Sequence, residues 1–237
     1  AEYPKWQGFC SQCGVWNSIE EEEIIIGKQD KASRTFTAQS ITASKPVRLG
    51  DIEQRSESRL SLGDPELDRV LGGGLVEGSF ILLGGEPGIG KSTLVLQTIL
   101  RLPYKTLYVS GEESLSQLKM RADRIGGTND DCLIYAETNL EKILATAIDT
   151  LPQVIVIDSI QTLQPELSDS SPGSVSQIRE CATALLKYCK TEGVAVILIG
   201  HINKEGSIAG PKILEHTVDV VLQFDGDKHY MYRILRG

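Results

Sequence analysis

The run Gly85-Glu86-Pro87-Gly88-Ile89-Gly90-Lys91-Ser92 satisfies the pattern G-x-x-x-x-G-K-[ST] at every constrained position. No other feature of the chain restricts the fold as strongly. A loop of this kind turns its backbone N–H groups toward phosphates when a strand delivers the chain into it and a helix starts directly after it. Both flanks are present. Phe80–Leu83 is short and apolar, as a buried strand is, and Ser92–Leu102 carries Leu94, Val95, Thr98 and Leu100 at helical spacing. A strand–loop–helix unit here implies an α/β domain that holds the phosphates of a nucleotide. Lys91 is expected to neutralise the β- and γ-phosphates and the Ser92 hydroxyl to ligate Mg²⁺.

From Leu60 onward the chain keeps alternating between strand and helix patterns. Further strands are expected at Thr106–Val109, Cys132–Tyr135, Val154–Ile157 and Val194–Ile199. Between them, helical spacing joins Leu115, Leu118, Ala122 and Ile125, then Leu140, Ile143, Ala147 and Ile148, then Val175, Ile178, Ala182, Leu185 and Cys189. Val218–Phe224 and Tyr230–Leu235 read as a closing hairpin around Asp225-Gly226-Asp227. The alternation predicts a mainly parallel sheet with helices on both faces. Ligands of such sheets bind outside the carboxyl ends of the strands, so the chemistry is expected there.

Carboxylates stand at two of those strand ends. Asp158 follows the aliphatic run Val154–Ile157, where a Walker B acid reaches the metal's coordination shell, although an acid in such a place also caps helices. Thr106–Val109 runs into Ser110-Gly111-Glu112-Glu113. One of these two acids is placed to act as general base toward a water, and the other reading is an acidic first helical turn. His201 ends a strand expected beside that of Asp158, where it is either a γ-phosphate sensor or a surface histidine.

Three segments are expected: 1–23, aromatic and cysteine-bearing; 24–58, a polar linker or arm; and 59–237, the nucleotide-binding domain. Apolar residues make up 41% and charged residues 24% of the 237, which excludes a mostly disordered or fibrous chain. The formal charge of −8 excludes a polycation that coats nucleic acid indiscriminately, while leaving room for a local basic loop. No window approaches the ~18 apolar residues of a membrane span, and five cysteines are no secreted disulfide framework. A cytoplasmic protein without membrane partners is the expectation. Cys132, Cys181 and Cys189 are expected to be packing residues.

Several stretches together resemble the RecA-type core of the RadA (Sms) family of bacterial DNA repair proteins. They are Tyr3-Pro4-Lys5-Trp6-Gln7-Gly8 before Cys10-x-x-Cys13-x-x-Trp16-Asn17, the phosphate loop extended from Gly84 to Thr93, and Tyr108-Val109-Ser110-Gly111-Glu112-Glu113-Ser114. Pro172-Gly173-Ser174-Val175-Ser176-Gln177-Ile178-Arg179-Glu180, Gly200-His201-Ile202-Asn203-Lys204-Glu205-Gly206 and Ala209-Gly210-Pro211-Lys212-Ile213-Leu214-Glu215-His216 complete the set.

The resemblance implies a ring-forming motor, hexameric in expectation, that hydrolyses ATP to ADP with Mg²⁺. Such motors move on single-stranded DNA and extend recombination intermediates by branch migration beside the recombinase RecA. It also implies Glu112 as the catalytic glutamate, with Glu113 second, and DNA contacts from Arg179, Lys204 and Lys212 in or near loops that face a central channel. Family members carry a four-cysteine zinc module. Here Cys10 and Cys13 supply half of it, so the Zn²⁺ site is expected to be incomplete. A Lys-Asn-Arg-Phe-Gly motif and a Lon-like domain are expected beyond Gly237. The residues also fit two other readings, a KaiC-type switch ATPase not coupled to DNA and a zinc-dependent adaptor with incidental nucleotide binding.

Overall fold

The computed structural model of the chain describes residues 48–51, 58–166, 170–171, 173–201, 214–226 and 232–237. By its contacts the chain divides into two units, Ala1–Gln54 and Arg55–Gly237. Within the first, the described residues are 48–51, which hold the 3₁₀ turn Leu49–Asp51. Cys10 and Cys13, with most of the stretch 24–58, fall outside the described residues.

The second unit opens on a small antiparallel ribbon, β1 (Arg59–Leu60) with β2 (Leu75–Val76), joined by the helix α1 (Pro65–Val70). Asp64 starts that helix, its carboxylate accepting the N–H groups of Glu66 and Leu67, with Pro65 in the first turn where its missing N–H costs nothing. The alternation then runs β3 (Phe80–Gly85), α2 (Lys91–Ile99), β4 (Thr106–Ser110), α3 (Leu115–Ile125), β5 (Cys132–Ala136) and α4 (Leu140–Thr150). It continues through β6 (Val154–Asp158), α5 (Val175–Glu192), β7 (Ala195–His201), β8 (Val220–Gly226) and β9 (Arg233–Arg236).

Seven strands form one sheet in the order β5-β4-β6-β7-β3-β8-β9, parallel throughout except where β9 returns against β8. The expected α/β class and the individual strands are present, and β8 pairs antiparallel with β9, but Asp225 and Gly226, expected in the turn, are paired residues of β8, and the connection 227–231 lies outside the described residues. The helix after the phosphate loop ends at Ile99, three residues short of the expectation, where the chain turns toward Leu102 and Pro103.

Central strands are buried on both faces, and successive residues feed two separate cores. Phe80, Leu82, Val109, Ile155, Ile157, Val196 and Leu198 face one cluster, sealed by Ile143 and Ala147 of α4 and Ile178, Ala182 and Leu185 of α5. Ile81, Leu83, Tyr108, Val156, Ile197 and Ile199 face the other, sealed by Val95, Leu96 and Ile99 of α2 and Leu118 of α3. The sheet is thereby clamped between two helical layers, and its carboxyl edge is held as a rigid row. Among the described residues no helix is long and apolar enough to cross a membrane.

Candidate nucleotide-binding and catalytic site

β3 carries the chain into the phosphate loop, and α2 begins at Lys91. Glu86, Pro87 and Gly88 are exposed, Ile89, Gly90 and Ser92 half-buried, and Thr93 exposed. Lys91 is only 3% exposed, and its Nζ donates to the carbonyl oxygens of Gly85 at 2.8 Å and Glu86 at 3.0 Å. Two of its three N–H groups therefore hold the loop's shape, and the third is left for a phosphate oxygen. Burial lowers the Lys91 ammonium from its ordinary value, while the nearby Asp158 and Glu112 carboxylates act to raise it.

Two glycines answer to identifiable constraints. Gly90 precedes α2 with φ at 108°, in the region that a side chain strains to reach. At Gly85 a Cβ would stand 2.5 Å from the Phe224 carbonyl oxygen, on the strand paired with β3 at this position. Gly85→Ala is therefore expected to force β3 and β8 apart, at a cost of about 1–3 kcal/mol in chemical denaturation and with weakened binding of ADP. Full stability with full affinity would show that the sheet absorbs the methyl group.

Strand register assembles the rest of the site. β7 lies between β3 and β6, with Gly85 opposite His201 on one side and Ile199 opposite Asp158 on the other. On the far flank of β6, Ser110 of β4 pairs with Asp158, so Gly111 and Glu112 leave the sheet at the same edge. Phosphate loop, His201, Asp158 and Glu112 thus stand in one row. The strands of the phosphate loop and of Asp158 are two sheet spacings apart, roughly 9–10 Å.

Two hydroxyls orient the acids. Asp158 is 5% exposed, and its Oδ2 accepts the Tyr108 phenol at 2.5 Å. Burial, and next the Asp158 carboxylate, push the Tyr108 phenol well above its ordinary value, which keeps it a donor. Glu112 Oε1 accepts the Ser159 hydroxyl at 2.7 Å and lies 3.2 Å from His201 Nε2. His201 Nδ1 is enclosed with no partner among the described residues. Glu113 forms an ion pair with Arg121 of α3. The geometry therefore separates the two acids that the sequence left as neighbours.

Tyr108 and Ser159 were not anticipated. A tyrosine inside a fully buried strand carries a hydroxyl that must find an acceptor, and this is the signal that could have found the first of them. Arg179 is exposed on α5, whereas Lys204 and Lys212 fall outside the described residues. Cys181 and Cys189 are buried and Cys132 half-buried, and burial pushes their thiols up to about 12, 11 and 11. None of the three is poised as a nucleophile.

The residues at this edge suit Mg²⁺ bound with a nucleotide. Ser92 and Asp158 are hard oxygen donors, and Asp158 keeps its second oxygen outside the Tyr108 bond. No cluster of three or more His, Cys, Asp or Glu able to hold a metal occurs among the described residues.

Comparisons with known proteins bear on the family and the fold. Residues 44–207 match the model of the AAA domain family. Over 100% of its length the chain is 46% identical to the DNA repair protein RadA of Halalkalibacterium halodurans, and 47% identical to those of Bacillus subtilis and Escherichia coli. It spans about half, 52%, of each of those relatives. In structure it is similar to a KaiC-like protein of Pyrococcus horikoshii, with a TM-score of 0.62 and 22% identity, over 76% of this chain and 87% of that one. That likeness shows the fold alone. The chain belongs to the AAA domain family, and along its whole length it is similar to the bacterial DNA repair proteins named RadA.

Proposed function

We propose that this chain is the ATP-hydrolysing part of a DNA repair motor that moves on single-stranded DNA and extends recombination joints by branch migration. The observation that carries the reading is the single row of phosphate loop, Asp158 and Glu112 at the sheet edge. Its likeness to RadA over the full chain adds the DNA repair context.

In this reading the loop N–H groups and Lys91 bind the β- and γ-phosphates, and Ser92 and Asp158 hold Mg²⁺. Bound there, Mg²⁺ draws off the negative charge that builds on the phosphate oxygens. Glu112 Oε2 takes a proton from water as the water oxygen bonds to the γ-phosphorus. The bond from that phosphorus to the bridging oxygen breaks, leaving ADP and inorganic phosphate. Glu112 Oε1 lies against the Ser159 hydroxyl and His201 Nε2, which fixes the direction from which the base acts, and His201 is assigned to register the γ-phosphate. Residues 85–93 form the nucleotide cradle.

Arg179, Lys204 and Lys212 are assigned to phosphates of single-stranded DNA, in a homo-oligomeric, hexameric ring that works with the recombinase RecA. Segment 1–23 is assigned to a partial zinc module in which Cys10 and Cys13 make an incomplete Zn²⁺ site, 24–58 to a linker or arm and 59–237 to the ATPase domain, in a cytoplasmic protein. ATP turnover with and without single-stranded DNA tests the reading, and a rise with DNA is expected. Turnover indifferent to DNA would favour a RecA-fold switch of KaiC type instead.

A further inference from the structure

Tyr108 is 0% exposed and lies with Leu96, Leu118 and Val156 in an apolar cluster, yet it brings a hydroxyl to the carboxylate at the end of the neighbouring strand. A phenylalanine would fill the same volume, so packing does not account for the oxygen. Its hydrogen bond to Asp158 Oδ2, at 2.5 Å, is in the range of a charge-assisted O–H···O⁻ bond. Asp158 hangs from the last residue of β6, and rotation of its carboxylate decides which oxygen faces the sheet edge. With Oδ2 committed to Tyr108, Oδ1 is the oxygen left for a cation.

We infer that Tyr108 is a positioning residue, its hydroxyl aiming the Asp158 carboxylate at the Mg²⁺ of a bound nucleotide. The inference rests on the metal role proposed above for Asp158. Outer-shell donors of this kind change metal affinity by about 10–100-fold when they are removed. The loss is expected in the metal requirement, because Tyr108 lies on β4 and is not part of the phosphate loop.

The test is Tyr108→Phe, which deletes one oxygen and keeps the ring. Binding of ADP to the 237-residue chain is followed by titration calorimetry, first in EDTA and then across a Mg²⁺ series, with Asp158→Ala measured alongside. The expected result is a Mg²⁺ requirement raised about 10–100-fold with affinity in EDTA unchanged. If Asp158→Ala raises the requirement and Tyr108→Phe does not, the positioning role is overturned. If Tyr108→Phe weakens ADP equally with and without Mg²⁺, the hydroxyl serves the fold and the inference is likewise overturned. If Asp158→Ala leaves the requirement unchanged, the metal role of Asp158 itself is what fails. The unaltered chain, labelled at the tyrosine ζ-carbons, gives a check that needs no variant. One buried tyrosine signal is expected to move when Mg²⁺ is added to the ADP-saturated protein, and its absence would also sink the inference.

Discussion

Lys91→Ala is expected to lower ATP turnover by about 10²–10³-fold, the loss seen when a preorganised electrostatic donor is taken from a transition state. The side chain acts twice. Its ammonium is buried at 3% exposure, where an interaction with phosphate is less screened than in bulk water. Its bonds to the Gly85 and Glu86 carbonyls also shape the loop before any phosphate arrives. Nucleotide affinity should therefore fall along with turnover, since alanine can neither bind the phosphates nor hold those carbonyls.

Stability without nucleotide should respond much less to the same change. The lost hydrogen bonds, about 1.5–3 kcal/mol each for a charged donor, are opposed by release of a desolvated charge. Burial depresses the folded-state value, so between that value and the ordinary 10.5 the unfolded chain binds more protons, and this group's share of stability rises with pH. That share is fully present only above the ordinary lysine value and is lost as pH falls through the folded-state value. Turnover by chemical assay, affinity by calorimetry and unfolding in denaturant separate the three effects. Turnover preserved in Lys91→Ala would place the activity outside this loop.

Much of this architecture was legible because its signals are local. An apolar run before Gly85 and a helical pattern after Ser92 fix one strand–loop–helix unit without any knowledge of neighbours. The β1–β2 ribbon and α1 were not among the expected elements, the ribbon because two-residue strands carry no period. Of the strand order, only β7 beside β6 was expected. Nothing in Gly85 or His201 says that they stand opposite each other, since β3 and β7 are separated by more than a hundred residues of crossovers and the register comes from packing. The hydroxyl partners of the acids were hidden for the same reason. Tyr108 and Asp158 are joined only because β4 and β6 are neighbours in the sheet.

The position of the two acids at one strand end did not separate Glu112 from Glu113, and only the family resemblance put Glu112 first, because adjacent acids leaving one strand differ only in what they contact. One faces Ser159 and His201 at the row of the phosphate loop, and the other is tied to Arg121. Glu112→Gln is accordingly expected to reduce turnover by about 10²–10⁴-fold, the usual worth of a general base. The amide keeps a carbonyl oxygen where Oε1 accepts the Ser159 hydroxyl, so the side chain is expected to hold its place and lose only its basicity. ADP affinity should be retained, because Glu112 is not part of the phosphate loop. Glu113→Gln should do the reverse, weakening a partly buried ion pair while leaving turnover near its original level. Single-turnover hydrolysis and ADP titration of both variants decide the matter. A dead Glu113→Gln beside an active Glu112→Gln would require Arg121 to release its partner during the reaction and would hand the base to the second acid.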